Sequence, residues 1–476
     1  MSILFRYLGY LLILSAFFRL IPIGVALFYN ESLFLFVLSS AISLAVGGFL
    51  VFRYRRTEDE PALTLTQGLV LVALSFIILP LIGALSFLPS LNYNLLDAYF
   101  ESISGFTTTG LTLYSALGDL PRSLLMWRAE TQWMGGIGIV MVFLFIFSRL
   151  HSHDYTRLGD TESKTRSTLA LYQAQGFNIK LEGGVRKTLS SIMIIYFGYT
   201  LIGIGLLYLT GLPLFEATGM AFTALSTGGF SMTDAFYSSG WTFSVLIFLM
   251  LMGSISFINH NDLIRGKWKH FFKSFEKNVF LIFVALAVAI SLTVYMDFTS
   301  VVFEIVSAFT TTGYSMSPIA LLPPLFILMI MTGMMIGGSV ASTSGGIKVF
   351  RIYYLLRAIP WSIKKLSSPP SAVIPLQIHG DKNAESKLAN IGIFVFLYFF
   401  ILLAGTVCFM FFGYGFLDAS FQVFSALGTV GLQTMDIAVL NPLLKIILIM
   451  AMLFGRLEIF PILIVLRGLF RLKKRT

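Results

Sequence analysis

The sequence predicts an all-α polytopic membrane protein. An N-terminal two-helix hairpin comes first, then four pseudo-repeated units of outer helix, short helix and inner helix around one central axis. Three observations predict this. The 476-residue chain is 57% hydrophobic and only 12% charged, with a mean hydropathy of +0.85, far from the soluble norm. Four related strings recur, Ser104 to Gly110, Thr223 to Gly229, Ser307 to Gly313 and Ser425 to Gly431, each ending in Thr-x-Gly; that is an internal repeat. Lysine and arginine, finally, are concentrated in alternate loops.

The elements follow in order. Apolar spans over about residues 3 to 29 and 33 to 52 form the leading hairpin, each near the roughly 20 residues that a membrane crossing needs. Arg6 and Arg19 interrupt the first, which reads as a retained helix rather than a cleaved signal peptide. Outer spans are expected over about 62 to 88, 187 to 210, 277 to 296 and 388 to 412, and inner spans over about 122 to 148, 241 to 259, 323 to 358 and 441 to 467. At one fixed distance ahead of each repeat's final glycine sits Asp97, Glu216, Ser300 or Asp418. These residue types mark helix starts, so each string ends a short helix of about ten residues. Ten residues rise roughly 15 Å, half the hydrocarbon core, so the segment enters the membrane without crossing it. The expected units are 1–58 for the hairpin, 59–150 for repeat 1, 151–268 for a loop and repeat 2, 269–366 for repeat 3, and 367–476 for repeat 4 with a basic tail.

Charge orients the chain. Residues 88–121, 211–240, 296–322 and 413–442, which hold the repeats, contain no Lys or Arg, whereas the opposite loops and the tail are basic. By the positive-inside rule the repeats enter from the outer face and both termini are cytoplasmic. The net charge of +10 is therefore a topology signal and implies no nucleic acid. The single cysteine, Cys408, excludes a disulfide framework or a cysteine metal site. Only the polar connections 150–186 and 366–387 are long enough for extramembrane structure. No Gly-x-x-x-x-Gly-Lys-Ser/Thr string is present, so no nucleotide is expected to be bound by this chain. Convergent acids, histidines or a nucleophile, which a membrane enzyme needs, are also missing from the pattern.

The candidate site residues lie at the repeats: Thr108, Thr109 and Gly110; Thr227, Gly228 and Gly229; Thr311, Thr312 and Gly313; Thr429, Val430 and Gly431. Non-helical backbone at membrane depth must be buried in protein or line water. Four inward-facing loops can ring a cation with carbonyl oxygens, and glycine supplies the φ values that turn them inward. Thr429-Val430-Gly431 is close to the start of a potassium-channel filter string. The bland alternative is that Gly and Thr here serve helix packing.

Two further features lie deeper. Gly337, Gly338, Ser339, Val340, Ala341, Ser342, Thr343, Ser344, Gly345 and Gly346 break the third inner span and make a poor helix interior. Alone, this could be a kink or a tight helix contact. Arg456 lies well inside the fourth inner span, where a charge must face protein or water; Glu458, two residues on, points elsewhere. A buried ion pair with another helix is the bland reading. Lys348 reads as an anchor at the inner face, Asn259 and His260 as interfacial. Arg128, Glu130 and Gln132 read as scaffold around the repeats, and neither His151 nor His153 has a metal constellation around it.

These motifs resemble the Trk, Ktr and HKT potassium transporter superfamily over essentially the whole chain, and the extra leading hairpin is most similar to the Trk-type membrane subunit. The resemblance implies a single central pore. Its potassium ions would be held by the filter backbone of Gly110, Gly229, Gly313 and Gly431, and Gly110 at the first position implies potassium selectivity. It implies an intramembrane gating loop over Gly337, Gly338, Ser339, Ser342, Thr343, Ser344, Gly345 and Gly346, with Arg456 facing the pore beneath the filter. Gating is thus expected to belong mainly to the third and fourth repeats. The implied setting is a homodimer in the lipid bilayer of the cytoplasmic (inner) membrane, with a cytosolic RCK-type nucleotide-binding regulatory ring (TrkA-like). An ion-coupled symporter is the alternative, although such folds favour inverted repeats.

Overall fold

The computed structural model describes residues 2–55, 65–152, 185–234, 240–369, 371–378 and 384–472. Residues 153–184 of the polar 150–186 connection, His153 and the end of the basic tail lie outside the described residues. The leading hairpin is Ser2–Phe18, Leu20–Tyr29 and Phe34–Arg53. Its two arms touch at Gly9 and Gly47, where a Cβ on either would lie 2.7–2.8 Å from the other's carbonyl oxygen. Small residues permit this backbone approach in lipid, where dispersion rather than water expulsion drives helix pairing. Arg19, at the break in the first arm, is buried. It donates to the Ser15 carbonyl (3.2 Å) and the Ser43 hydroxyl (3.1 Å) and lies 4.8 Å over the Trp127 ring. A charge inside an apolar span is thus kept by partners. Glu31, in the turn between the arms, caps the first inner helix by accepting from the amides of Arg122 (2.7 Å) and Ser123 (2.9 Å). That bond ties the hairpin to repeat 1.

The outer helices are Leu65–Gly83, Val185–Leu209, Phe275–Leu292 and Ala384–Phe411. Short helices follow at Leu95–Phe106, Leu214–Leu225, Phe298–Phe309 and Phe416–Gly428. At twelve or thirteen residues they are somewhat longer than expected, about 18–20 Å, and still fall short of a membrane crossing. Their starts correct the sequence reading. Asp97, Glu216, Ser300 and Asp418 occupy the third helical position, and the caps lie three residues earlier. Asn94 Oδ1 accepts from Leu96 N (3.0 Å) and Asp97 N (3.4 Å), and Asp297 Oδ1 from Thr299 N (3.1 Å) and Ser300 N (3.4 Å). Pro213 and Gly415 start the second and fourth helices without a side-chain cap. The misreading arises because cap and third helical residue are both polar in these two repeats and bond side chain to side chain: Asn94 donates to Asp97 (3.0 Å), and the Ser300 hydroxyl to Asp297 (2.6 Å).

The inner helices depart furthest from simple spans. The first, Arg122–Ser152, is long and carries Arg128 and Glu130. The second, Gly240–Ser254, turns by 103° into Phe257–Ile264. Pro324–Ile336 and Val349–Leu366 are the halves of the third, either side of the expected glycine-rich break. The fourth, Pro442–Arg456, turns by 111° into a helix beginning at Phe460. Sequence hydropathy runs on through both turns and gave one span each. The fourth turn is made by Glu458 and Ile459 at φ 57° and 65°, a left-handed conformation that no L-residue helix can contain. Six described helices are long and apolar enough to cross a membrane, or eight if each bent pair is one span. His260 is also corrected: beyond the second turn it is buried, with Nδ1 3.1 Å from the Tyr199 hydroxyl and Nε2 3.0 Å from the Met252 carbonyl.

Candidate functional site

Each short helix ends in the same way. In each, an amide just past the helix returns to the carbonyl five residues before it: Thr109 N to Ser104 O (2.9 Å), Gly228 N to Thr223 O (2.8 Å), Thr312 N to Ser307 O (2.9 Å), Val430 N to Ser425 O (2.9 Å). The preceding amides, of Thr108, Thr227, Thr311 and Thr429, bond to Gly105, Ala224, Ala308 and Ala426. This is a Schellman termination, which requires a left-handed residue and normally takes glycine there. Here the position is threonine four times, at φ 51° to 57°. A β-branched residue in that region is strained, and such strain persists only where the surroundings over-determine it. The benefit is a side-chain hydroxyl at each helix terminus, which glycine could not supply.

The four loops then meet in sequence order. Gly110, Gly229, Gly313 and Gly431 have φ of 87°, 78°, 87° and 97°. A Cβ on Gly110 would strike the Gly228 carbonyl oxygen, one on Gly229 that of Thr312, one on Gly313 that of Val430, and one on Gly431 that of Thr109. Loop one abuts two, two abuts three, three abuts four and four abuts one: a closed ring. Each glycine is needed twice over, for its dihedral and for its contact. The C-terminal dipole ends of four helices converge on this ring and favour a cation. The buried hydroxyl oxygens of Thr108 and Thr429 have no hydrogen-bond partner, which fits a ligand with a taste for oxygen.

The surroundings hold the ring. Gln132 Nε2 donates to Gly228 O (2.6 Å) while its Oε1 accepts from Phe230 N (3.0 Å), clamping the second loop from the first inner helix. Glu101 accepts from Thr112 Oγ1 (2.8 Å), Leu113 N (3.0 Å) and Arg128 Nε (3.0 Å), so the strand leaving the first loop is tied back to its own short helix. Glu304 does the same in the third repeat with Ser315 Oγ (2.8 Å) and Met316 N (2.7 Å). At the corresponding positions the second and fourth repeats carry Met220 and Gln422. Repeats one and three also share a hydroxyl bridge of 2.8 Å, Thr107 to Thr109 and Thr310 to Thr312. Tyr314 locks the third loop to the second: its hydroxyl is 2.5 Å from Thr223 Oγ1, and its carbonyl accepts from Ser307 (2.7 Å).

The glycine-rich break is a buried, non-helical loop directly against the threonine hydroxyls. Gly345 N donates to Thr311 Oγ1 (2.7 Å), Thr343 Oγ1 lies 3.2 Å from Thr227 Oγ1, and Gly345 packs on Thr429 and Gly428. Its firmest backbone bonds run to the second repeat: Ser339 N to Ser254 O (2.9 Å), Thr343 N to Gly253 O (3.1 Å) and Phe257 N to Ala341 O (3.0 Å). Glu276 Oε2 accepts from Val340 N (3.2 Å). Lys348 is buried at φ 81° and donates back to the Ser344 carbonyl, so it braces the loop rather than anchoring a helix at the inner face.

Arg456 closes the arrangement. It is the last residue of its helix, buried, with Nη1 donating to Thr343 O (2.6 Å) and Nη2 to Gly135 O (2.8 Å). Glu458 pairs instead with Arg351 (2.5 Å), whose guanidinium lies 4.0 Å over Phe394. One arginine therefore joins the loop to the first inner helix, and the acid beyond it joins the bend to the segment after the loop.

Sequence reasoning missed the glycines that let each inner helix reach its short helix. Gly135, Gly253 and Gly455 press on the carbonyls of Phe106, Leu225 and Leu427, and Gly333 on the Phe309 ring. Their signal is faint: one glycine at a similar distance after each Thr-x-Gly string.

The chain is similar to known proteins along nearly its whole length. A sequence model of the TrkH family, described as cation transport protein, matches residues 32–286 and 285–470. An uncharacterised cation transporter of Methanocaldococcus jannaschii is 31% identical, over 97% of this chain and 94% of that one. The Trk system potassium uptake protein TrkH of Salmonella typhimurium is 28% identical over 98% of each chain. The crystal structure of the potassium transporter TrkH from Vibrio parahaemolyticus superposes with a TM-score of 0.84 at 26% identity, covering 98% of each chain.

Proposed function

Because this chain belongs to the TrkH family of cation transport proteins, we propose that it takes up potassium across the cytoplasmic membrane through a channel-like pore filtered by the ring of four loops. It is a multi-pass membrane transporter and not an enzyme. The observation that carries the reading is the closed succession of glycine against carbonyl around the ring. Carbonyl oxygens held there can replace a cation's hydration shell without a titratable group. The 337–346 loop, seated against the threonine hydroxyls, is the gate, and Arg456 its bolt. Selectivity belongs to Thr108 to Gly110, Thr227 to Gly229, Thr311 to Gly313 and Thr429 to Gly431. The bonds of the loop to Gly253, Ser254 and Thr227 support a share in gating for the second repeat beside the third and fourth. Five units divide the chain, the leading hairpin and four repeats, with both termini cytoplasmic.

Relatives named as parts of a Trk system support work alongside partner proteins, and the partners proposed for this chain are a second copy of itself and a cytosolic TrkA-like nucleotide-binding ring. The test is potassium and sodium flux in liposomes for the wild type, Gly110→Ser and Gly313→Ser. Loss of potassium preference in a folded variant is expected; unaltered selectivity in both sinks the filter assignment. A coupled symporter is the second reading, and a reversal potential that tracks potassium alone decides against it.

A further inference from the structure

We propose that residues 257–273, the segment between the second inner and third outer helices, are a membrane-surface strap that binds anionic phospholipid headgroups and passes that binding to the 337–346 loop. The inference rests on the gate and inner face proposed above.

The segment is two short helices, Phe257–Ile264 and Trp268–Lys273, and both ends are fixed to membrane helices. Two residues separate Phe257 from the end of Gly240–Ser254, and one separates Lys273 from the start of Phe275–Leu292. With both ends so close to apolar spans, the strap cannot leave the interface. Its composition suits that level. Ile264, Trp268 and Phe272 are 59–65% exposed, and between and beside them stand Arg265, Lys267, Lys269 and Lys273, all exposed. Within the strap Asp262 is the only acid. Aromatic side chains at headgroup depth with interleaved cations are the signature of an amphipathic element lying on an anionic leaflet. A protein partner would need a complementary acidic face; a leaflet supplies the negative charge along the plane to which the strap is confined.

The inner side of the strap reaches the gate. Phe257 N donates to Ala341 O (3.0 Å), and the elbow just before it accepts from Ser339 N and Thr343 N. His260 and Phe257 are buried against Tyr199 and Tyr196, with ring centroids 5.1 and 5.8 Å apart, so the first strap helix moves with this packing. Asn259 Nδ2 donates to Ser274 Oγ (2.8 Å) and closes the strap on itself. A headgroup that draws the cations toward the leaflet therefore acts on three backbone bonds of the loop.

The test is rubidium flux through the full-length chain reconstituted in phosphatidylcholine vesicles with and without phosphatidylglycerol. The variant is Arg265→Gln, Lys267→Gln, Lys269→Gln and Lys273→Gln together, none of which touches the ring or the loop. The wild type should change its flux by about 5-fold or more on adding phosphatidylglycerol, the low end of ordinary coupling between sites. The variant should keep its flux in phosphatidylcholine and lose most of that response. In parallel, Trp268→Phe removes the component of tryptophan emission that headgroup-brominated phosphatidylglycerol should quench. A wild type that conducts equally in both vesicles, or a variant with the full response, overturns the strap. Absence of flux in every vesicle, with Trp268 still quenched, counts instead against the conduction reading.

Discussion

Arg456→Gln probes the bolt. In the structure the guanidinium makes two short bonds to carbonyl oxygens on different repeats, Thr343 and Gly135. Hydrogen bonds from a charged donor contribute about 1.5–3 kcal/mol each, so under the proposed gating role the pair would hold a closed arrangement by roughly 3–6 kcal/mol. A glutamine amide can keep one neutral bond of about 1 kcal/mol, leaving a net loss of about 2–5 kcal/mol. At a tenfold change per roughly 1.4 kcal/mol, the open-to-closed ratio rises by about 30- to 4,000-fold; water entering the vacated space recovers part, so at least about 10-fold is expected. Planar-bilayer recording reads this as open probability. The unitary current should rise as well, because on the proposed reading a fixed positive charge would leave the cation path. Arg456→Lys separates the two effects: it keeps the charge but loses the fork, so open probability should rise with little gain in current. If Arg456→Gln leaves both open probability and current at wild-type values, the bolt does not exist.

Other outcomes follow from the same geometry. Arg128→Met should cost about 3–5 kcal/mol by stranding the buried Glu101, and Arg128→Met with Glu101→Gln should cost less; thermal unfolding in detergent reads both. Thr343→Val removes the hydroxyl that bonds Gly253 and Leu225 and should raise basal flux several-fold, about 1 kcal/mol of lost loop attachment. Asn94→Ala should destabilise the first short helix by about 1 kcal/mol, whereas Pro213→Ala has no side-chain cap to lose; melting temperatures compare them. Asp297 lies outside the membrane spans, and the Ser300 hydroxyl, with the Ser300 and Thr299 amides, holds its carboxyl below the ordinary value. A depressed folded value contributes stability above the unfolded pKa that is lost as pH falls through the folded one. Melting temperature should therefore fall on acidification, and fall less in Asp297→Asn.

Much of this was legible in residue order because lipid imposes coarse rules: spans need length, half-spans need burial, and basic loops choose a side. The glycines at 110, 229, 313 and 431 stood out because few residues tolerate their dihedrals. What escaped notice was decided by tertiary contact. Thr108 and its three counterparts adopt a conformation that threonine dislikes in isolation, so no propensity could announce it. The elbow after Ser254 lies inside a span marked only by the small residues Gly253, Ser254 and Ser256, and the turn at Glu458 was signalled only by Pro461, which suits the first turn of a new helix. Lys348 and His260 look like surface residues by type, but the loop's carbonyl at Ser344 and the Met252 carbonyl gave them partners indoors.

The ring's neighbours are less symmetric than its backbone. Loops one and three, which face each other across the axis, share the anchoring acids Glu101 and Glu304, side-chain caps at Asn94 and Asp297 and paired threonine hydroxyls; loops two and four have none of these. An ion at the centre of the proposed filter would thus meet acid-braced walls in repeats one and three, a second loop held instead by Gln132 and Tyr314, and a fourth loop with neither device. Thermal breathing of such an aperture would be lopsided, widening first at loop four. A cation slightly too large for a round hole can pass during that excursion, so discrimination against ions larger than potassium should relax on warming sooner than discrimination against sodium.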